Sequence, residues 1–366
     1  RLCNPKIILK LYSKLKKNGI SRKTYYNYIK RSMPLTVFFS DSHKVGYVLP
    51  DKLLITNRTG RSSPLKLPQT ITPELCYLVG AMLGDGHIGN REPEHGSEVV
   101  YSELFYPSIK NQFSEIISKT FCIKPSTDDM RKGLIYYSSA LAEVFEKLGV
   151  PKGRKANIIN VPEWIYFCQE EYILAFLAGI LNSDGDCHKN MLRICSVSKK
   201  FIYNLKWLLL RLGIVTYIEE RKGKNQQICG HPAKSSTSYH LIVSGENNIE
   251  TILRCPLIDI KKFKYKQKTK HGTRSKDILP VKDGLKKAYF EHRKNQGKTI
   301  NEFRAAYQSG YLSKDYLKKN LPSLKSETAK KIMKITHLPF RWVKVKWVQS
   351  ESTDEFVYDL TIENKH

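Results

Sequence analysis

The sequence predicts an α/β (α+β) fold built from a duplicated αββαββα unit with pseudo-twofold symmetry, and three observations carry that reading. A nine-residue pattern occurs twice: Leu78 to Gly86 and Leu177 to Gly185 both read Leu-x-Gly-x-x-x-small-Asp-Gly. The same order of helix and strand candidates follows each copy. Within both copies, small residues recur four apart, Gly80 with Gly84 and Gly179 with Ser183. That spacing lets two helix backbones approach closely, so these four residues are the predicted helix interface.

The first apolar run, Leu75 to Gly84, reads as a helix. Glycine inside a helix costs about 1 kcal/mol relative to alanine, and close packing is the term that offsets it. The helix stops at Asp85-Gly86, where glycine is expected to take the left-handed cap conformation. Short strand-like stretches follow, then a helix from Ser108 to Phe121. Strands near Cys122–Lys124 and Leu134–Tyr137 and a helix from Ser139 to Leu148 complete the first unit. The second unit opens with the apolar run Tyr172 to Ser183 and continues through stretches around Met191–Val197. A helix from Lys199 to Leu212, strands near Ile214–Arg221 and Tyr239–Val243, and a helix from Glu246 to Leu253 follow. The strands would form two antiparallel saddles about an axis along the paired pattern helices.

Pairing those helices brings together Asp85 and Asp184, which lie 99 residues apart. Each carboxylate faces the negative pole of its helix, an unfavourable term of roughly 0.3–1 kcal/mol. Juxtaposition adds mutual repulsion and raises one pKa unless a cation intervenes. A hard divalent cation such as Mg²⁺, which takes carboxylate oxygen ligands, resolves the conflict.

Composition narrows the partner. The 366 residues carry 62 Lys and Arg against 34 acids, a net charge of +28. Such a field favours a polyanion, nucleic acid first, with a membrane surface or acidic protein behind it. No apolar run is long enough to span a bilayer and no signal peptide is visible. Eight cysteines are scattered without a Cys-x-x-Cys pair, so zinc spacing is absent. They read as reduced residues of an intracellular protein, cytoplasmic or at the nucleoid.

Three basic segments are candidates for nucleic-acid contact. Ten Lys or Arg and no acid precede Asp41. There Ile7, Ile8, Leu11 and Leu15 mark an amphipathic helix, Asn18-Gly19 a turn, and Ser21 the cap of a second helix. That helix carries Arg22, Lys23, Tyr25 and Asn27, in the manner of a helix-turn-helix unit. From Lys261 to Lys276, Lys264, Lys266 and Lys268 alternate with other residues, which sets them on one face of an extended segment along a phosphate backbone. Arg193, in the stretch after Asp184, is a further DNA contact candidate. Lys282 to Leu338 reads as helical and basic, with Ser326 to Ile332 resembling a repressor-like helix.

The doubled nonapeptide resembles that of LAGLIDADG homing endonucleases carrying both motifs in one polypeptide. The matching order of elements spans about residues 70 to 265, and the sixth and seventh positions depart from the family name (Leu83-Gly84 and Asn182-Ser183). The resemblance implies that Asp85 and Asp184 are the metal-binding catalytic pair, accompanied by Gly84 and Ser183, with Mg²⁺ as cofactor and Mn²⁺ as substitute. It implies a central lysine per unit that organises water at the scissile phosphate. Lys155 holds that place in the first unit, and Lys261 or Lys262 in the second, with Lys262 preferred. It further implies a monomer acting as a pseudo-dimer on double-stranded DNA, with RNA a lesser alternative.

The end of the chain, Val357 to His366, resembles the penultimate splicing block of inteins, with Asp359 and His366 at positions near the splicing centre. That implies strands of a Hint-type domain. The first residue is neither Cys nor Ser, no clear Thr-x-x-His block lies near the start, and no terminal His-Asn is present, so self-splicing by the chain as it stands is not expected. The expected organisation is a basic helical module and linker (1–68), unit one (69–168), unit two (169–270), a basic helical DNA-binding module (271–340) and C-terminal strands (341–366). The expected function is metal-dependent double-strand cleavage of a long, asymmetric DNA site. The alternatives are an idle DNA-binding regulator on the same fold, an RNA maturase, or a fragment of a self-splicing intein.

Overall fold

The computed structural model describes residues 5–15, 37–38, 53–56, 64–90, 96–126, 133–188, 190–223, 225–228, 231–234, 236–263, 277–296, 312–338, 340–342 and 348–350. Arg22, Lys23, Tyr25, Asn27, Lys264, Lys266, Lys268, Asp359 and His366 lie outside the described residues, as does the whole run Val357 to His366. The chain divides into two units, residues 1–276 and 277–366.

In the first unit, helix α1 (Pro5–Leu15) buries Ile8 and Leu11, and β1 (Leu53–Ile55) pairs antiparallel with β2 (Leu65–Leu67). Thr72 then starts α2 (Pro73–Leu83), its hydroxyl accepting the Leu75 amide at 3.2 Å, with Pro73 in the first turn. The run from Leu75 to Leu83 is buried throughout, as expected of a helix apolar on every face at the centre of a core. Its counterpart is α5 (Glu170–Asp184), buried from Ala175 to Asn182. Between them run β3 (Gly86–Asn90), β4 (Ser97–Tyr101), α3 (Pro107–Phe121), β5 (Leu134–Tyr136), α4 (Ser139–Lys147) and a 3₁₀ turn over Glu163–Phe167. After α5 come β6 (Gly185–His188), β7 (Met191–Ser196), α6 (Lys199–Arg211), β8 (Thr216–Arg221), β9 (Asn225–Ile228), β10 (His231–Lys234), β11 (Ser238–Val243) and α7 (Glu246–Leu253). One hydrophobic core joins the elements of both halves.

The two sheets are not equal. The second is four-stranded in the order β6-β7-β11-β8, every neighbour antiparallel. The first shows three strands, β3-β4-β5, among the described residues. The strand expected near Cys122–Lys124 is absent, a correction with a local cause. Cys122 takes a left-handed conformation (φ 56°) to cap α3, and the following stretch offers β5 one backbone bond, Ser126 N–H to the Ile135 carbonyl at 2.7 Å. The β9–β10 hairpin is an addition that the periodicity did not announce.

A second correction concerns the glycines of the Asp-Gly pairs. Neither Gly86 nor Gly185 is left-handed; Gly185 has φ −84° and ψ 149° and passes straight into a strand. Glycine is required there for space. A Cβ on Gly86 would lie 2.5 Å from the Met82 Cα, and one on Gly185 2.5 Å from the Leu181 carbonyl oxygen.

The second unit is helical. Strands β12 (Ile278–Leu279) and β13 (Leu312–Ser313) pair antiparallel, and α8 (Lys282–Gln296), α9 (Lys314–Asn320) and α10 (Glu327–His337) pack around Leu285, Tyr289, Leu317, Leu321 and Ile332. Ser313 and Ser326 cap the second and third of these helices, accepting from Tyr316 N–H and Ala329 N–H. No helix among the described residues is long and apolar enough to cross a membrane.

Candidate active site

Helices α2 and α5 cross at their glycines. A Cβ on Gly80 would stand 2.1 Å from the Phe176 carbonyl oxygen, and one on Gly179 would stand 2.1 Å from the Tyr77 carbonyl oxygen. The predicted interface residues therefore all lie on the seam, with Gly84 against Ser183, where an added Cβ would be 2.4 Å from the Ser183 Cβ. Backbones this close leave no room for any side chain larger than hydrogen at the crossing. The seam carries the two helix ends, and hence Asp85 and Asp184, to one place.

Polar side chains lock that end. The Asn182 amide, fully buried, donates to the Tyr77 hydroxyl (3.2 Å) and the Leu257 carbonyl (2.9 Å) and accepts the Asp259 amide (3.1 Å). Ser183 Oγ donates to the Gly179 carbonyl at 3.0 Å and lies 3.4 Å from the Tyr101 hydroxyl.

Both candidate lysines arrive at the helix ends. Lys155 Nζ donates to the carbonyls of Met82 (2.7 Å), Leu83 (2.6 Å) and Gly84. Lys262 Nζ donates to those of Leu181 (3.2 Å), Asn182 (2.5 Å) and Ser183 (2.7 Å). Each ammonium thus meets three carbonyls at the end of its own half's helix and opposes the negative pole of the dipole. Lys261 is exposed and makes its bond through its backbone amide, to Asp259 Oδ1 at 3.0 Å. Of the two, Lys262 occupies the centre.

The electrostatics follow from crowding two acids and two cations. Burial, then the charges of Asp184 and Glu103, raise the Asp85 carboxyl to about 6, against the opposing pull of Lys262 and Lys155. The Asp184 carboxyl is also pushed up by protein packed around it, although the residue keeps an exposed surface, and both lysines pull it back. Burial lowers Lys155 to about 8, with the two aspartates working to keep it charged. Lys262 moves down for the same reason, with Glu103 first among the acids that hold its proton.

Glu103 escaped the sequence reading. It is 6% exposed, and its Oε1 accepts the amides of Phe105 (2.7 Å) and Tyr106 (3.0 Å) in the turn before α3. An acid in an aperiodic stretch leaves no pattern to read. Arg193 lies on β7 with its guanidinium forked onto Asp186 at 2.7 and 2.5 Å.

As a metal site the centre offers hard oxygens. Among the described residues no three His, Cys, Asp or Glu cluster, so a closed zinc-type site is not formed. The donors are the carboxylates of Asp85 and Asp184, with the Gly84 and Ser183 carbonyls taken up by the lysine ammonium groups. Two carboxylates brought to one place are hard oxygen donors of the kind that Mg²⁺ or Mn²⁺ takes.

Comparison with known proteins gives several partial likenesses. The chain is 28% identical over 205 residues to a subunit of the A-type ATP synthase of Pyrococcus abyssi, an alignment that covers 55% of this chain and 18% of that protein. It is 28% identical over 188 residues to the replication factor C small subunit of Methanocaldococcus jannaschii (49% of this chain, 9% of that protein). With reverse gyrase of the same organism it shares 24% over 379 residues, 95% of this chain and 21% of that protein. The chain thus spans about a fifth or less of the length of these relatives. A solved structure of mesophilic variants of the homing endonuclease I-DmoI aligns with 50% of this chain and 97% of its own at 22% identity, with a TM-score of 0.37. Residues 171–254, which run from the first turn of α5 through α7, match the LAGLIDADG-like domain.

Proposed function

We propose that this protein is a site-specific DNA endonuclease of the LAGLIDADG homing type, cutting both strands of one long, asymmetric duplex site. The observation that carries the reading is the convergence of Asp85 and Asp184 on one seam between Lys155 and Lys262. Two acids and two ammonium groups related by pseudo-twofold symmetry match two phosphodiesters on opposite strands. The net charge of +28 suits the partner.

In this reading Asp85 and Asp184 hold Mg²⁺, which supplies Lewis acidity and an acidified water when bound. Lys155 and Lys262 contribute positive charge beside the phosphate, their ammonium groups held in place by the three carbonyls each one meets. Burial moves both ammonium groups below the ordinary lysine range, Lys155 to about 8, which brings the Lys155 proton closer to exchange at neutral pH. The open faces of the two sheets lie along the major groove, where Arg193, paired with Asp186, and Arg221, paired with Glu219, would exchange those carboxylates for bases or phosphates. In the second unit, Lys330, Lys331 and Lys334 on the exposed side of α10 provide further phosphate contacts.

The same reading makes the chain part of an inserted, intein-borne element. A component of an ATP synthase, a replication factor and reverse gyrase differ in activity, yet each aligns with this chain over a minor share of its length. A mobile insert in different hosts leaves that pattern, and the Val357 to His366 run supports it.

The test is cleavage selection on a randomised duplex library with Mg²⁺, running wild type and Asp184→Asn in parallel. One staggered cut site, lost in the variant, is the expected result. Tight binding without cleavage in Mg²⁺ or Mn²⁺ would replace the nuclease by a binding regulator.

A further inference from the structure

Each central lysine sits on a loop of one half that is anchored by a helix of the other. The loop carrying Lys262 is held from α3 of the first half. Gln112 Nε2 donates to the Leu257 carbonyl at 3.0 Å, Ser108 Oγ bonds Asp259 Oδ2, and the Tyr106 ring, before α3, lies 5.5 Å from Lys262 Nζ. The loop carrying Lys155 is held from α6 of the second half. Asn204 Nδ2 donates to Asn160 Oδ1 at 2.7 Å, and Ser198 Oγ donates to the Ile159 carbonyl at 2.9 Å. Gln112 and Asn204 occupy the same place, each the sixth residue of its helix.

We propose that Gln112 and Asn204 are reciprocal positioning residues. Each fixes the lysine of the opposite half, so each governs cleavage of one strand. This rests on the nuclease reading above for its catalytic consequence, but not for its structural one. Each side chain acts on the centre through a loop, by bonds to Leu257 and Asn160 rather than to the carboxylate pair. The anchors differ in what they grip. Gln112 grips backbone upstream of Lys262, whereas Asn204 grips a side chain downstream of Lys155. Misplacing a catalytic group by an ångström from a distance can cost on the order of 100-fold in rate.

Backbone hydrogen exchange on the full chain, read by mass spectrometry, tests the positioning without requiring activity. In Gln112→Ala, peptides covering 256–263 are expected to exchange roughly tenfold faster while those covering 150–162 stay at wild-type rates. Asn204→Ala is expected to give the converse. Gln112→Glu, which keeps the shape and removes the donor, guards against a general loss of folding. Acceleration of both loops together, or of neither, overturns the proposal. On the selected site, each variant should then accumulate a nicked intermediate about 10- to 100-fold slower to complete, with opposite strands left intact in the two variants. A variant that frees its loop yet slows both strands equally overturns the strand assignment. Wild type that cuts no duplex overturns the nuclease reading instead, and the exchange pattern still decides the anchoring.

Discussion

Gly179→Ala tests the seam on which the whole site depends. Alanine in place of glycine within a helix ordinarily stabilises by about 1 kcal/mol. Here the added Cβ would meet the Tyr77 carbonyl oxygen at 2.1 Å and the Ala81 nitrogen at 2.6 Å, both backbone atoms that cannot rotate away. Restoring ordinary contact needs the helices to part by about an ångström, and a gap of that size forfeits up to half of the dispersion well for each facing atom pair. Overpacking a close core costs about 1–3 kcal/mol, and here backbone meets backbone, which places the cost at the upper end. Net of propensity, destabilisation of about 2 kcal/mol is expected, a fall in melting temperature of roughly 4–8 °C for a unit of this size. Thermal and urea unfolding of wild type and variant, followed by far-ultraviolet circular dichroism, reads this directly. The sign decides: a variant as stable as wild type, or more so, refutes close packing at Gly179.

Three further outcomes follow from the centre itself. Asp85→Asn and Asp184→Asn should each abolish double-strand cleavage while DNA binding, measured by gel shift, persists; wild-type turnover in either would remove the carboxylates from the chemistry. With metal chelated, Asp85 at about 6 against 3.8 for a free carboxyl means the folded chain holds the extra proton between those values. Stability is therefore lost as pH rises through that window, by about 2–3 kcal/mol relative to Asp85→Asn, and a pH-independent difference between the two would contradict its burial. Mg²⁺ should raise the melting temperature of wild type by ligand linkage and leave Asp85→Asn unmoved; equal shifts in both would place the cation elsewhere.

The paired helices and their acids were legible because they rest on spacing. Glycines four apart and a repeated Asp-Gly need no three-dimensional information to be seen, and α2 and α5 lie where the apolar runs set them. The boundaries of α3, α4, α6 and α7 fall within a residue of expectation for the same reason, since their apolar periodicity is strong. The lysines were legible through family resemblance alone, because a lysine in so basic a chain carries no local signal. Glu103, Gln112 and Asn204 were not legible at all. Gln112 and Asn204 bond residues distant in sequence, and Glu103 acts on Lys262 by its charge, across a seam that only folding creates. The missing strand after Cys122 failed for a different reason: three residues of mixed character could not outweigh the left-handed turn that closes α3.

The contacts at the helix crossing repeat with a constant offset. Gly80 meets Phe176 and Ile180, while Gly179 meets Tyr77 and Ala81, and Tyr77/Phe176, Gly80/Gly179 and Ala81/Ile180 each differ by the same 99 positions. A surface that meets its own equivalent across a twofold is isologous, the geometry of a homodimer written into one chain. The covalent connection between the halves makes their meeting intramolecular, at an effective concentration that short tethers hold in the millimolar range. Association is then no longer limited by protein concentration. The two sheets are released from the duty of being identical, and one already carries a strand and a hairpin that the other lacks among the described residues. A palindromic target is the natural partner of a symmetric dimer; on the proposed nuclease reading, a tethered pair with unlike saddles would address two unrelated half-sites.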